Sequence, residues 1–338
     1  MLLFLTTYGS YLHTSDGLIT VEIGKDKAVK QISPKKVESI FISTGAALST
    51  DLIQLCYDNN IDIVFMDKYG NPTSRVWHSK LGSTALIRKK QIEASVGETG
   101  AKYAKLFISR KFENQKEWME RLIKTRPHHA AIIGKMIETL ADARKKLDET
   151  AGAIEDIRET LLGIEGSAGR AYFRTISALL PDAFQFEERS RNPAKDEFNA
   201  ILNYMYGILY GVVEKACILA GIDPFVGIMH TDNYNKKSFV FDAMEMVRIY
   251  ADESAVYLFS NRKLGKTQFQ TIENGVLIGD EAKKIVIEHF ISFLDESIRY
   301  RGRNISRRHT VLLELRHLAN EWLEGEAKII DKIDIEEL

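Results

Sequence analysis

Cysteine and proline are scarce in this chain of 338 residues, which has two of the first and six of the second. Two thiols exclude a disulfide framework and a Cys-type zinc site. Cys56 and Cys217 both sit inside apolar runs, Leu55-Cys56-Tyr57 and Ala216-Cys217-Ile218. That placement is expected of buried free thiols in a reducing cytosol, so a cytoplasmic protein is expected. The low proline count excludes long Pro-rich linkers. No run approaches the ~18 apolar residues of a membrane-spanning helix, so no membrane partner is expected. The opening MLLFLTTYGSYLHTS has no basic start and is apolar only from Leu2 to Leu5, too short for a secretory leader. Nor does one sign of charge dominate. Lys and Arg total 46 and Asp and Glu total 47, a net charge of -1, which excludes a generic polycation.

What is present is ordinary for a folded protein. Apolar residues make up 45% and charged residues 28%, which excludes disordered, collagen-like and coiled-coil chains. At about 150 residues per domain the length suggests two domains, each able to bury a core.

The hydrophobic period changes near residue 85. Before it, Leu2 to Thr6, Gly17 to Ile23, Ala28 to Ile32, Glu38 to Ile42 and Ile61 to Met66 are short apolar or alternating runs that read as strands. Gly24-Lys25-Asp26 reads as a hairpin turn, and Asp67 to Pro72 as a strong turn after which Thr73 to His78 returns antiparallel. Thr50 to Tyr57 is the one helical interlude, with Ser49 as its N-cap and Asp51 suited to the helix dipole. After residue 85, apolar residues recur at three and four: Thr84 to Ser95, Lys102 to Lys124, His129 to Leu147, Ile154 to Leu162, Asp196 to Ala220, Ser238 to Tyr250, Gly279 to Tyr300 and Thr310 to Leu323. Gly221 reads as the stop of the long helix, with Pro224 beyond it. The expected fold class is therefore α+β with two domains: a small β-rich N-terminal domain over 1–85, followed by a larger all-α C-terminal domain over 86–338.

Charge is unevenly distributed along the chain. Between Arg88 and Arg126 eleven Lys or Arg face five Asp or Glu, and Arg299, Arg301, Arg303, Arg307 and Arg308 form a run without an acid. Glu321 to Leu338 is acidic. Basic stripes on a near-neutral chain suit a nucleic-acid partner; solvated helix faces give the same pattern.

Three segments carry chemistry-bearing residues. In LLGIEGSAGR, Glu165 stands among glycines and small residues. Either the acid points into a confined space or the glycines serve helix packing. In GIDPFVGIMH a helix stop and a Gly/Pro turn lead to His230, which is either structural or functional. In SFVFDAMEMVR, Asp242 and Glu245 share a helix face, and Glu245 and Arg248 are also spaced as an i,i+3 ion pair. If Glu165, His230 and the Asp/Glu pair converge, the oxygen-rich set with one imidazole suits Mg²⁺ or Mn²⁺ more than Zn²⁺.

The segments LLGIEGSAGRAYF, FNAILNYMYGILYGVVEKACILAGIDPFVGIMH and KKSFVFDAMEMVR, in this order, resemble the CRISPR-associated protein 1 family. The stretch ITVEIGKD and the stretch KKVESIFISTGAALSTDLIQLCYDNNIDIVFMDKYGNP resemble that family's β-domain, and YRGRNISRRH its late basic segment. The resemblance implies a metal-dependent DNA endonuclease and integrase of CRISPR adaptation. It would insert short fragments, spacers, at the repeat by 3′-hydroxyl transesterification, or cleave duplex and branched DNA with water. It further implies that Glu165, His230 and Glu245 hold the ion, Mg²⁺ or Mn²⁺, with Asp242 beside them in the catalytic set. Many relatives have Asp where Glu245 stands, which leaves a ligand role for Asp242 open. Lys237 stands where a basic residue is usual. Lys237, Arg248, Arg301, Arg303 and Arg307 are the candidate DNA contacts. The implied partners are double-stranded and branched DNA, a second copy in a homodimer formed through the β-domains, and a dimer of CRISPR-associated protein 2. The competing expectations are a non-catalytic DNA-binding assembly subunit, suggested by the Glu245–Arg248 spacing, and a hydrolase of small phosphoesters, which the basic segments disfavour.

Overall fold

The computed structural model describes residues 1–23, 28–76, 84–191, 193–231 and 236–324. The turn expected at Gly24-Lys25-Asp26, the end of the strand expected to reach His78, and the acidic tail past Glu324 lie outside them. Eight strands come first: β1 (Leu2–Leu5), β2 (Ser10–Ser15), β3 (Leu18–Ile23), β4 (Ala28–Ile32), β5 (Ser39–Ile42), β6 (Ala46–Leu48), β7 (Asp62–Met66) and β8 (Pro72–Val76), with helix α1 (Thr50–Asp58) before β7. They form two four-stranded sheets, ordered β4-β3-β2-β6 and β1-β5-β7-β8. In the second sheet β1, β5 and β7 run parallel and β8 returns antiparallel to β7. The hairpin from β2 to β3 turns at Asp16-Gly17, both with positive φ (53° and 72°). That is the two-residue turn whose twist matches paired strands. Ser49 Oγ accepts the Leu52 N–H at 3.1 Å, the N-cap expected for α1.

In the β1-β5-β7-β8 sheet the inner strands β5 and β7 are covered on both faces and read as continuous apolar runs rather than alternating ones. Ile40, Ile42 and Ile63 face the other sheet and α1; Phe41, Val64 and Met66 face the helices. Alternation at period two sends neighbours to opposite cores.

The helices are α2 (Thr84–Ala94), α3 (Gly97–Thr125), α4 (Ala130–Glu149), α5 (Ile154–Leu179), α6 (Glu197–Leu219), α7 (Ser238–Glu245), α8 (Ile249–Ser260), α9 (Asp280–Asp295) and α10 (Arg307–Leu323). Helix α6 is buried over most of its circumference and is the spine of this part. Its Gly207 and Gly211 let the β-region come close. A methyl at Gly207 would lie 1.8 Å from the Gly70 carbonyl oxygen, and one at Gly211 would lie 2.8 Å from the Phe41 ring. Gly207 therefore fixes where the turn between β7 and β8 rests, and Gly211 admits the ring from β5. Gly221, with φ +78°, ends the helix as expected.

The all-α expectation for the C-terminal part is corrected by two hairpins. Strand β9 (Phe269–Ile272) pairs antiparallel with β10 (Gly275–Ile278), and β11 (Ser297–Tyr300) with β12 (Arg303–Ser306). Four-residue strands are too short to impose a period on a helical window. The apolar spacing from Gly279 predicts a helix through Tyr300, but α9 stops at Asp295. Arg301 (φ 44°) and Gly302 (φ 87°) then make a two-residue hairpin turn. Two helix boundaries also differ. Helix α5 continues through Gly163, Gly166 and Gly169 to Leu179, because Ala168, Tyr172, Ile176 and Leu179 keep its buried stripe going. The run from Ser238 to Tyr250 breaks into α7 and α8. Among the described residues no helix is long and apolar enough to cross a membrane.

Candidate active site

Helix α7 sets the geometry. Asp242, on its buried face, is fully inaccessible, yet its two oxygens are saturated. Oδ2 accepts the backbone N–H groups of Ile228 (2.6 Å) and Met229 (3.0 Å). Oδ1 accepts the N–H of His230 (3.0 Å) and meets its Nδ1 at 2.6 Å. A carboxylate in that position assigns the proton to Nδ1 and leaves Nε2 as the free nitrogen. Asp242 thus shapes the loop through Oδ2 and orients the imidazole through Oδ1. The loop is clamped from the other side by Gln91 on α2. Its Nε2 donates to the carbonyls of Asp223 and Val226 at 2.9 Å each, and its Oε1 accepts the Asp223 N–H at 2.8 Å.

One turn further along α7, Glu245 meets two cations. Arg248 Nη1 donates to both its oxygens at 2.6 and 2.8 Å, and Lys111 Nζ of α3 lies 2.8 Å from Oε2. Burial pushes the Glu245 carboxyl up, but Arg248 and Lys111 outweigh it and hold the group at about 2. The i,i+3 pair with Arg248 is therefore real, and it lies inside the protein. Lys111 Nζ also donates to Glu165 Oε1 on α5. The glycines around Glu165 are not a helix–helix contact. A methyl at Gly163 would meet nothing, and one at Gly166 or Gly169 only the Arg170 or Glu165 side chain at 3.7 Å. The helix-packing reading of this segment is therefore not met; the glycines face open space beside the partly exposed Glu165 carboxylate.

His230, Glu245, Arg248 and Lys237 line one cavity of about 490 Å³. Tyr206, Tyr210 and Phe241 give it flat apolar walls, and Asn71, Pro72 and Thr73 reach it from the β-region past Gly207. Tyr206 is braced by the buried Asp252, to which its hydroxyl donates at 2.5 Å, and carries the Arg248 guanidinium 5.0 Å over its ring. Lys237 is held by Glu214 at 2.6 Å, and Glu214 by Arg75 at 3.1 Å.

The structure thus links Glu165 to Glu245 through Lys111, and the cavity joins Glu245 to His230 with its Asp242 anchor, with Lys237 and Arg248 beside them; Glu165 is not part of the cavity lining. The structure does not bring the late arginines there. Arg301 and Arg303 are exposed on the β11–β12 hairpin, and Arg307 stacks 3.9 Å over Phe293 and pairs with Glu296. Much of the basic stripe from Arg88 to Arg126 is also spoken for: Arg88 pairs with Asp223, Lys102 with Glu321, Lys116 with Glu120 and Arg121 with Glu253.

Sequence reasoning missed Lys111, Gln91, Tyr206 and Glu214. Lys111 had a signal. It falls on the buried stripe of α3 with Phe107, Ile108, Gln115 and Trp118, where a lysine is costly unless paired.

In kind, the side chains fit a hard divalent ion: two carboxylates, and an imidazole fixed with its lone pair free. In placement, Lys111 stands between the carboxylates, and no three His, Cys, Asp or Glu side chains among the described residues gather closely enough to hold a metal.

The site is therefore an aromatic cavity lined by an imidazole anchored on a buried carboxylate and by Glu245, which Lys111 and Arg248 bracket and which Lys111 links to Glu165. Comparison with known proteins gives the family. The model of "CRISPR associated protein Cas1" matches residues 3–292. A CRISPR-associated endonuclease Cas1 of Archaeoglobus fulgidus is 33% identical over 97% of this chain and 98% of its own length. Another, of Rhodospirillum rubrum, is 31% identical over 84% of this chain and 83% of its own. The chain belongs to the CRISPR-associated Cas1 family. A CAS1 protein of Thermotoga maritima has the same fold, with a TM-score of 0.80, 22% identity, and coverage of 96% of this chain and 97% of that one. A casposase bound to integration product superposes with a TM-score of 0.81 and 21% identity, over 100% of this chain and 95% of that one.

Proposed function

We propose that the protein is a divalent-metal-dependent DNA endonuclease and integrase of CRISPR adaptation. The observation that carries this reading is Asp242, whose buried carboxylate fixes the Ile228–Met229 backbone through Oδ2 and orients His230 through Oδ1 at the cavity that Glu245 also lines. A histidine held by a carboxylate through one nitrogen is the usual preparation of a metal ligand at the other. The relatives named as endonucleases, and the casposase bound to integration product, support the same chemistry.

Glu165, His230 and Glu245 would hold Mg²⁺ or Mn²⁺. Bound there, the ion supplies Lewis acidity at a phosphodiester and alignment for in-line displacement. The chain's own residues bind and orient. Asp242 keeps the His230 proton on Nδ1. Lys237 and Arg248 offer positive charge to a phosphate, and Glu214 and Tyr206 hold them in place. The aromatic walls exclude water from one side. In the transfer reaction the 3′-hydroxyl of a captured fragment attacks phosphorus at the edge of a repeat. A new P–O bond forms, the old one breaks, and the displaced strand leaves with a 3′-hydroxyl. Water in place of that hydroxyl gives cleavage of duplex or branched DNA. The proposed partners are this DNA, a second copy of the chain and a dimer of CRISPR-associated protein 2. A Cas6-RT-Cas1–Cas2 complex among the structural neighbours, with a TM-score of 0.78, supports the last. The buried free thiols Cys56 and Cys217 suit a cytoplasmic setting.

The test is transfer of a labelled short duplex into a repeat-bearing plasmid with Mn²⁺ or Mg²⁺ and the partner protein. The wild type is expected to incorporate label, chelator to abolish incorporation, and His230→Ala to fall to background with DNA binding intact. Incorporation by His230→Ala at the wild-type rate contradicts the site. One observation favours a second reading, a non-catalytic DNA-binding assembly subunit: Glu245 is already neutralised by Lys111 and Arg248. That reading requires chelator-insensitive DNA binding and no strand cleavage at any metal concentration.

A further inference from the structure

We propose that Lys111 is a built-in substitute for the divalent ion: its ammonium neutralises Glu165 and Glu245 until the ion loads, and loading displaces it. This rests on the metal reading above and deepens it.

Lys111 is 3% exposed and projects from the apolar stripe of α3. A lysine so placed is stable only if its charge is paired. Its Nζ reaches two carboxylates on two other helices, Glu165 of α5 and Glu245 of α7. Neither carboxylate accepts a backbone N–H among the described bonds; their partners there are Lys111 and, for Glu245, Arg248. This contrasts with Asp242, which takes three backbone N–H groups and is fixed whatever happens around it. Glu165 and Glu245 are held together by a cation and by little else. The same oxygens are those a hard divalent ion would take.

A lysine ammonium and a divalent ion cannot both occupy the space between these carboxylates, because like charges at contact distance in a buried site repel strongly. The exchange swaps one cation for another, so the carboxylate pair is never left bare. Lysine suits this role better than arginine. It is a compact point charge on a flexible four-carbon stem, able to withdraw without dismantling a planar bidentate fork. Arg248 keeps its contact with Glu245 in either state. The consequence is a metal-free protein that holds its fold, at the expense of weaker metal binding.

The test uses the full chain as wild type, Lys111→Gln, Lys111→Arg and Glu165→Gln. Mn²⁺ binding is measured by calorimetry, and melting is measured in EDTA and in saturating Mn²⁺. Lys111→Gln is expected to melt about 5 °C lower than wild type in EDTA, to bind Mn²⁺ about tenfold tighter, and to regain the lost stability with the ion. Lys111→Arg keeps the charge; it should melt as wild type in EDTA but bind Mn²⁺ less tightly, because its planar fork withdraws less readily. Glu165→Gln should melt as wild type in EDTA and lose the Mn²⁺ site. If Lys111→Gln does not fold in EDTA, folding on addition of Mn²⁺ supports the proposal, and failure to fold even then overturns it. Mn²⁺ binding by Lys111→Gln no tighter than wild type also overturns it and leaves the metal reading standing. Absence of any Glu165-dependent Mn²⁺ binding, in wild type and Lys111→Gln alike, removes the metal reading and the proposal with it.

Discussion

Two buried charge clusters reach the cavity, one through Lys237 and one through Glu245 and Arg248, and they are built differently. At the seam between the β1-β5-β7-β8 sheet and α6, Asp62 meets Arg75 and Lys215, and Glu214 meets Arg75 and Lys237. This cluster is tied into the backbone and hydroxyls around it. Asp62 accepts from Ser39 Oγ at 2.5 Å, Arg75 donates to the Gly211 carbonyl at 3.0 Å, and Lys215 to the Glu38 carbonyl. The second cluster, Glu165, Lys111, Glu245 and Arg248, has only side chains for partners among the described bonds to its carboxylates. The first is a fastener, the second an exchangeable arrangement. Buried charge by itself therefore does not mark a functional site. What separates the two is whether the carboxylates are fixed by the main chain or by other side chains, and whether they meet a cavity holding a prepared imidazole.

The largest effect on stability should come from breaking the fastener. Arg75→Met leaves Asp62 and Glu214 short of a partner at 1% and 5% side-chain exposure. A loss of about 3–5 kcal/mol in urea unfolding is expected for a buried pair broken on one side. A loss below about 1 kcal/mol would show that Lys215 and Lys237 suffice, and the contrast between the clusters would weaken. A smaller effect, and one on function, should follow from Asp242→Asn. The amide can still receive hydrogen bonds through its oxygen but no longer fixes the His230 proton on Nδ1. Metal affinity and strand transfer should fall about 10–100-fold, with the unfolding midpoint changed far less than in Arg75→Met. The smallest effect concerns the thiols. Burial, and behind it Asp62, pushes Cys56 up to about 12, and burial raises Cys217 well above the ordinary thiol value. Both stay protonated at pH 8, so neither should react with a thiol reagent there until the protein unfolds. Rapid labelling of the native chain would show that the seam next to Asp62 opens.

How far the sequence reached depends on the range of the interaction. Ser49 and Gly221 act within one helical turn, and both could be read directly. Ile19, Ile40, Ile63 and Phe107 follow local period and burial, so the change from strands to helices near residue 85 was visible as well. The strands β2 and β6 were not assigned, although Asp16-Gly17 was a turn signal lying in plain view. The two C-terminal hairpins escaped because four residues cannot establish a period, and because α9 ends without glycine or proline. At the site, Glu165, His230, Asp242 and Glu245 were legible as residues, their segments being distinctive. What Asp242 does was not. Its partners are backbone groups of a loop twelve or more residues away, and nothing in SFVFDAMEMVR distinguishes an acid that coordinates from one that clamps. Lys111 bonds to a residue 54 positions on. A basic stripe on a long helix looked like a surface, and the one lysine of it that turned inward had to be found by its place on the buried face.

The most direct test compares Glu165→Gln with Arg75→Met in one experiment that reads plasmid strand transfer and urea midpoint on the same samples. Glu165→Gln should lose strand transfer and keep the wild-type midpoint; Arg75→Met should lose stability while, at temperatures where it remains folded, still transferring label. Full strand transfer by folded Glu165→Gln would contradict the assignment of the Lys111-bridged carboxylates as the place where DNA chemistry happens.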